Sequence, residues 1–108
     1  MAFNIEETGK NMLSAAAGVL TGEWRGIQSC VTKAFEDEKD ALAAIAEARL
    51  AGEIDDAEMK SQLDDEAETL TATLLVCQVK TKLAAQEAIN AALKVLTAAV
   101  QMALKAAI

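Results

Sequence analysis

Apolar residues recur at alternating intervals of four and three through the first half of the chain, beginning at Leu13. Of the eleven positions in this series, ten are apolar and one is charged. The series is Leu13, Ala17, Leu20, Trp24, Ile27, Val31, Ala34, Glu38, Ala41, Ile45 and Ala48. Such a heptad seam is typical of a helix that packs lengthwise against other helices. It predicts an all-α fold.

The composition agrees with that prediction. The 108 residues include no proline and five glycines, so few positions are suited to tight turns. Alanine, leucine, glutamate, lysine and glutamine, all strong helix formers, are abundant. The length predicts one domain over residues 1–108, and the aromatic content of 3% predicts a core of small side chains and a marginally stable monomer.

Two helix starts and one turn are recognisable from local signals. Asn4 precedes Glu7 by three residues, and Asp55 precedes Glu58 in the same way, which is the spacing of a capping box. Gly52 suits the end of a helix, because glycine readily adopts the left-handed conformation found there. A helix therefore ends near Gly52, and another begins shortly after it.

These signals divide the chain into an antiparallel helical hairpin, with helices over about 4–51 and about 55–108 and a turn at about 52–54. Neither glycine nor proline follows residue 52, so the second helix is expected to run without a break. Its last twenty residues carry two adjoining apolar seams, an arc too wide for one neighbouring helix to cover. The candidate interface residues on this arc are Leu93, Leu96 and Val100.

Two four-helix architectures would cover that arc. In the first, two hairpins pair into a dimeric bundle, which makes the protein a homodimer or a higher homo-oligomer. In the second, each long helix breaks, and one chain forms an up-down bundle with a break near residues 22–26, in the sequence GEWRG. We favour the dimer, because only the first helix contains a signal for a break.

Gly18, Gly22 and Gly26 recur every fourth residue on the flank of the first helix opposite the heptad seam. Glycine costs about 1 kcal/mol relative to alanine in a helix, so a plain surface role does not explain them. Either a second helix contacts this flank closely, as in small-xxx-small packing, or the helix bends at GEWRG. We favour the contact. Trp24, on the seam, is a candidate core or interface anchor.

Glu38 is the one charged residue on the heptad seam. In the folded-back hairpin it would face Glu68 and Thr69, where a carboxylate without a cation would have a raised pKa. A single polar seam residue often fixes register and partner number in a bundle, so Glu38 is an interface candidate. The alternatives are a shift of the seam to Leu42 and, less favoured, a catalytic or metal-binding role.

The chain holds two cysteines and no histidine. A fold-back near residues 52–53 places Cys30 and Cys77 at one level of the hairpin. We favour two free thiols packed as small apolar residues over a disulfide or, least, a soft-metal site. Free thiols and the absence of a signal peptide in MAFNIEETGK suggest a cytoplasmic location, with export by a route that needs no signal peptide as the alternative.

Acidic residues concentrate around the predicted turn. Residues 36–68 hold thirteen acids and three bases, whereas the rest of the chain holds four acids and seven bases. So acidic a region disfavours nucleic acid and anionic membranes as partners, and it lacks the ligand spacing of a calcium loop. Lys94 and Lys105 interrupt the apolar C-terminal stretch, which we interpret as a bundle helix and not as a membrane span.

Trp24, Arg25 and Gly26 form a W-x-G triplet, which is similar to that of small exported helical-hairpin proteins of the WxG type. In that family the triplet lies in the turn between two helices, and the C-terminal export signal contains a tyrosine. Here the predicted turn lies elsewhere, and the chain has no tyrosine. We do not assign the chain to that family.

The sequence contains no nucleophile with a base, no phosphate-binding glycine loop and no basic-aromatic patch. We therefore expect no enzymatic activity, no cofactor and no metal. The function we expect is that of a self-associating structural or interaction module. One alternative is a small acidic adaptor or chaperone, for example in secretion, whose apolar C-terminal helix is covered by another protein. A carboxylate metal-binding bundle is the least favoured.

Overall fold

The computed structural model describes residues 3–107 and contains four α-helices in that range. They are α1 (Ile5–Val19), α2 (Trp24–Leu50), α3 (Asp56–Val76) and α4 (Lys82–Ala107). The described residues include no strand, so the predicted all-α four-helix bundle is confirmed, and one chain supplies all four helices. Residues 1, 2 and 108, which the predicted domain and helices include, lie outside the described range.

The helices run alternately up and down, because each connection is only four or five residues long. α1 packs chiefly on α4 and α2 chiefly on α3, with further contact between α3 and α4 and, across the diagonal, between α2 and α4. The bundle measures 43 × 23 × 19 Å. We call the end with connections 20–23 and 77–81 the turn end. The opposite end, with connection 51–55, the start of α1 and the end of α4, is the terminal end.

The prediction of one continuous helix over about 4–51 is wrong. α1 ends at Val19, and a threonine and a glycine, both poor helix formers, follow the buried residue Leu20. Burial of Leu20 in the core holds the chain at the point where it reverses. The break covers residues 20–23 and overlaps the position near 22–26 that the up-down alternative predicts.

The prediction of an unbroken second helix over about 55–108 is also wrong. α3 ends in a Schellman motif, in which the N–H of Val79 donates to the carbonyl of Leu74 and the N–H of Gln78 to that of Leu75. Gln78 adopts the left-handed conformation, with φ 73°, that glycine usually supplies. Leu74 and Val79 are both buried, so apolar burial stabilises this reversal without glycine or proline.

Four of the remaining helix ends use ordinary caps. Gly52, with φ 77°, ends α2 in a second Schellman motif, as expected of a glycine at this place. The side-chain oxygens of Asn4, Asp55 and Thr81 each accept a hydrogen bond from the backbone N–H three residues later, at 3.1, 2.8 and 3.0 Å. The two caps predicted at Asn4 and Asp55 are therefore confirmed, and Thr81 is a third.

One strip of each helix forms the core. Its largest fully buried side chains are Met12, Leu20, Val31, Leu42, Leu70, Leu74, Ile89, Leu96 and Val100. The α4 seam that contains Leu93, Leu96 and Val100 is covered by the other helices of the same chain, whereas Val95 and Ala99 of the adjoining seam are half-buried and Met102 is exposed. Leu93, Leu96 and Val100, which we took as candidates for an interface between copies, lie in this intramolecular core.

The heptad seam changes course near the middle of α2. Its members from Ile27 to Ala34 are buried, but the seam position Glu38 is only half-buried. Leu42, four residues later, is 2% exposed and continues the core, as the seam-shift alternative predicts. The strip bends around the helix here because a straight α-helix drifts relative to an exact seven-residue repeat.

Candidate functional site

The two connections at the turn end are tied to each other. Oε1 of Glu23 accepts a hydrogen bond of 2.9 Å from the backbone N–H of Lys80. Glu23 is the N-cap residue of α2, yet its side chain makes no capping bond to that helix. The side chain instead holds connection 20–23 against connection 77–81.

A disulfide fixes the same end of the bundle. It joins Cys30 of α2 to Cys77, the C-cap residue of α3, with 5.6 Å between the two Cα atoms. The fold-back thus brings the two cysteines to one level, but they form a disulfide in place of the free thiols that we favoured. Cys77 is buried and Cys30 is exposed, so the bond reaches the surface.

Large apolar side chains are exposed around these connections. Val76 and Leu83, which flank connection 77–81, are 81% and 65% exposed. Leu75 and Val19, at the ends of α3 and α1, are 38% exposed. We call Val19, Leu75, Val76 and Leu83 the apolar turn patch. They make up four of the five large apolar side chains that are exposed among the residues whose burial is described.

The fifth exposed apolar residue, Met102, lies at the terminal end and is 71% exposed. It borders a groove between α1 and α4, which Phe3, Thr8 and Ala99 also line. Met102 and Phe3 therefore give the terminal end an apolar groove of its own, opposite the apolar turn patch.

Charge is distributed unevenly along the bundle. The half at the turn end, residues 14–35 and 69–92, holds four bases and two acids, a net charge of +2. The half at the terminal end, which is the rest of the chain, holds six bases and fifteen acids, a net charge of −9. The turn end is therefore the part of the surface with little net charge, and it is also where apolar side chains are exposed.

The glycine flank lies at the turn end as well. Gly18 is in the last turn of α1, Gly22 is in connection 20–23 and Gly26 is in the first turn of α2. A Cβ atom at any of the three would meet no neighbouring heavy atom within 4 Å, so no other helix of this chain contacts the flank. The contact of a second helix with this flank, which the sequence favoured, is thus not made within the chain. The alternative, an interruption of the helix at GEWRG, is seen, because α1 ends at Val19 and α2 begins at Trp24.

Trp24 is the first residue of α2 and is half-buried against the core. It is thus a core anchor at the turn end, one of the two roles that the sequence suggests. The W-x-G triplet directly follows connection 20–23, whereas the sequence had placed it inside a continuous helix. The chain still lacks the tyrosine that the WxG-type proteins require.

Glu38 faces Glu66 of α3 and not Glu68 or Thr69 as expected. Burial of the Glu38 side chain raises the pKa of its carboxyl group, and the facing Glu66 carboxyl raises it further. Asp37 adds a smaller repulsion in the same direction. The contact between α2 and α3 thus contains an unfavourable carboxylate pair without a compensating cation.

Ion pairs hold the terminal end together. Nζ of Lys39 lies 2.7 Å from Oε1 of Glu6, which links α2 to α1 and lowers the pKa of Glu6. Nε of Arg49 donates to Oδ1 of Asp56 at 2.7 Å, and Nε2 of Gln101 donates to the same oxygen at 3.1 Å. These two hydrogen bonds lower the pKa of Asp56 and connect α2, α3 and α4.

Within residues 3–107, no group of three or more cysteine, aspartate or glutamate side chains is placed to hold a metal ion. One helix, over residues 82–106, is long and apolar enough by length and composition to cross a membrane, with a mean hydropathy of 1.2. A third of its most apolar window is buried inside the bundle.

Comparison with known proteins gives no match to a family model, a curated protein or a solved structure.

The apolar turn patch was missed in the sequence. Leu75 and Val76 follow Leu74 directly, and a run of apolar residues at a helix end does not reveal which members are buried. The break at 77–81 decides this, because it turns Val76 and Leu83 away from the core. The one sequence signal for a new helix start in this region was Thr81, a suitable N-cap residue at the end of QVKT (residues 78–81).

Proposed function

We propose that this protein is a non-enzymatic interaction module that associates with a second copy of itself through the apolar turn patch. The observation that carries the proposal is the gathering of four exposed apolar side chains at one end of the bundle. Scattered single apolar residues on a surface need no explanation, but four of the five exposed large apolar side chains described lie at this one end, and such a concentration favours an interface there.

Two features of the turn end support this proposal. The Cys30–Cys77 disulfide and the bond from Lys80 to Glu23 fix both connections, so the patch is presented on rigid backbone. A rigid surface loses little conformational entropy when it binds, which favours association. The low net charge of this half also reduces the cost of bringing two acidic proteins together.

The experiment is sedimentation velocity of the wild type and of the double variant Val76→Lys/Leu83→Glu. This variant keeps the net charge unchanged, and each new charge agrees with the dipole of its helix, so the fold is expected to persist. Met102→Gln, which changes an exposed apolar residue at the other end, is the matched control. We expect the wild type and the control to associate and the double variant to remain monomeric, with equal helicity by circular dichroism.

A wild type that stays monomeric up to the highest soluble concentration would overturn self-association. In that case the adaptor or chaperone alternative, with a different protein on the apolar turn patch, would be preferred. The original argument for that alternative, an uncovered C-terminal helix, is weaker now because α1, α2 and α3 cover the main apolar seam of α4.

For the location, the disulfide favours an oxidising compartment over the cytoplasm, because cytosolic thiols are kept reduced. We therefore propose that the protein resides in an oxidising compartment and not in the cytoplasm that the sequence favoured. Alkylation of thiols in intact cells followed by gel electrophoresis tests this. Complete labelling of Cys30 and Cys77 without prior reduction would contradict it.

A further inference from the structure

We infer that two copies of this chain exchange α4, each copy straightening residues 77–81 so that its α3 and α4 form one continuous helix. The α4 helix of each copy then packs on α1, α2 and α3 of the other, in the place that α4 occupies within the single chain. This inference rests on the proposed self-association and specifies how the two copies are joined.

The apolar seam of α3 continues in phase through the connection and into α4. Counting alternately four and three residues from Leu63 reaches eight positions in α3, in connection 77–81 and in α4. The series is Leu63, Ala67, Leu70, Leu74, Cys77, Thr81, Ala84 and Ala88, of which only Thr81 is not apolar. A repeat of this kind is typical of one helix with a single apolar stripe, so the sequence favours a straight helix here although the single chain reverses.

The reversal carries a conformational cost that a straight helix would not. Connection 77–81 contains neither glycine nor proline, and Gln78 is held in the left-handed conformation, with φ 73°. Straightening relieves this strain and replaces the capping bond of Thr81 and the bond from Lys80 to Glu23 with helical backbone bonds. Burial of Val79 in the single chain opposes straightening. The disulfide does not oppose it, since that bond joins α2 to the end of α3 and leaves α4 unconstrained.

Exchange preserves the contacts of the core. Within the single chain α4 packs chiefly on α1, with further contact to α3 and α2. The same side chains would meet in the exchanged pair, supplied by two chains instead of one. The interface between the copies therefore contains the buried seam of α4 twice over and does not depend on the small end face of the bundle. For this reason the exchange of an identical element is a low-cost route to a dimer.

The exchange also covers the two most exposed residues of the apolar turn patch, Val76 and Leu83. In a continuous helix they are seven residues apart, so they share one face, away from the seam and equally distant from the point between residues 79 and 80. Two such helices that cross antiparallel at this point would place Val76 of each copy beside Leu83 of the other. A second copy therefore accounts for the apolar side chains that flank the connection.

A contact at the far end of α4 provides the first test. Nε2 of Gln101 donates to Oδ1 of Asp56 at 3.1 Å, and the two residues lie on α4 and α3 at the terminal end. In the variant Asp56→Cys/Gln101→Cys, a short thiol cross-linker would join these positions within one chain before exchange and between two chains after it. The protein is concentrated, warmed, separated by size exclusion and cross-linked, and each fraction is run on a denaturing gel without reductant.

We expect covalent dimers from the dimer fraction and only internally joined chains from the monomer fraction. The single variants Asp56→Cys and Gln101→Cys are the controls, because each lacks the second thiol of the pair and should give no covalent dimer in either fraction. A dimer fraction of the double variant in which the cross-links lie only within chains would overturn the exchange, and it would leave self-association through an outer surface intact.

Lys82→Pro provides the second test, because it fits the single chain and not the continuous helix. Lys82 is the first residue of α4, directly after the N-cap residue Thr81, and proline is favoured at that position. Inside a straight helix the same proline removes a backbone hydrogen bond and clashes with the preceding turn. Lys82→Ala is the matched control, since it removes the same charge and suits both forms.

We expect Lys82→Pro to lower the association constant of the dimer by about a hundredfold or more, since both helices of the pair contain the substitution, while Lys82→Ala associates like the wild type. Circular dichroism should show equal helicity of the monomers. Equal association of the proline and alanine variants would overturn the exchange but not the proposed function. A wild type that stays monomeric at every concentration would overturn both.

Discussion

Glu38 shows how one residue can fit the apolar repeat and still be unfavourable. Its carboxyl group is half-buried between α2 and α3 and faces Glu66, and both effects raise its pKa. The core compensates by continuing through Leu42, which is almost fully buried. Glu38 therefore costs stability at neutral pH and is not required for packing.

We expect Glu38→Gln to raise the free energy of unfolding at pH 7 by about 0.5 kcal/mol, because it removes the repulsion between two facing carboxylates. Urea unfolding followed by circular dichroism measures the change. Glu36→Gln, at an exposed position of the same helix, is the control and should change little. A loss of stability in Glu38→Gln would mean that the carboxylate has a favourable partner.

Gly18 is a second residue whose presence the folded chain does not explain. It lies in α1 with open space beside it, so alanine fits without strain. We expect Gly18→Ala to raise stability by about 0.5 kcal/mol through its better helix propensity. Thermal unfolding of the dilute protein tests this, and a decrease in the melting temperature would show that the space is not open.

At the scale of elements, the connection between α3 and α4 determines the architecture. A Schellman motif with a non-glycine residue in the left-handed conformation ends α3, and Thr81 then starts α4. Without this reversal the second half of the chain would be one long helix, and its apolar arc would need a second molecule to cover it.

Because Gln78 occupies a conformation that disfavours side chains, Gln78→Gly should stabilise the protein by about 1 kcal/mol. Gln78→Ala is the matched control, since alanine also carries a Cβ atom and gives no such gain. Chemical unfolding curves of the three proteins provide the comparison. Equal stability of the glycine and alanine variants would contradict the assigned conformation.

The disulfide is the other constraint on this connection. It closes a loop over a sequence separation of 47 residues, for which loop-closure entropy gives a stabilisation of about 4 kcal/mol. Reduction, or Cys30→Ser/Cys77→Ser, should therefore lower the free energy of unfolding by a large part of that amount. Denaturant unfolding with and without a dithiol reductant measures it. A difference below about 1 kcal/mol would contradict the expectation.

At the scale of the whole molecule, stability should depend on pH in two opposite ways. The raised pKa of Glu38 stabilises the fold most below the ordinary pKa of glutamate, and this contribution is lost as the pH rises through the raised value. The lowered pKa values of Glu6 and Asp56 act in reverse: their contribution is present above the ordinary values and is lost as the pH falls through the lowered ones.

We therefore expect the melting temperature to be highest at mildly acidic pH and to fall on both sides. Differential scanning calorimetry over a pH series gives the profile. Glu38→Gln should flatten only the side toward neutral pH, and Asp56→Asn only the acidic side. A wild-type profile that rises continuously to pH 7 would show that the Glu38–Glu66 contact is not formed.

Several parts of this fold could be predicted from the sequence alone. The heptad seam and the lack of proline indicated helices, the caps at Asn4 and Asp55 gave two helix starts, and Gly52 gave one turn. These features are local, because capping and helix propensity depend on residues three or four positions apart. The all-α class and the α2–α3 hairpin therefore follow from short-range chemistry.

The tertiary structure alone decided the breaks at 20–23 and 77–81, the disulfide and the apolar turn patch. Each depends on which long-range contacts cover α4, and a chain of strong helix formers does not specify those contacts locally. Leu74 and Val79 secure a reversal that no glycine marks, because their burial outweighs the strain at Gln78. Helix formation is encoded by residues a few positions apart in the sequence. The points at which the chain reverses depend on which residues the assembled core buries.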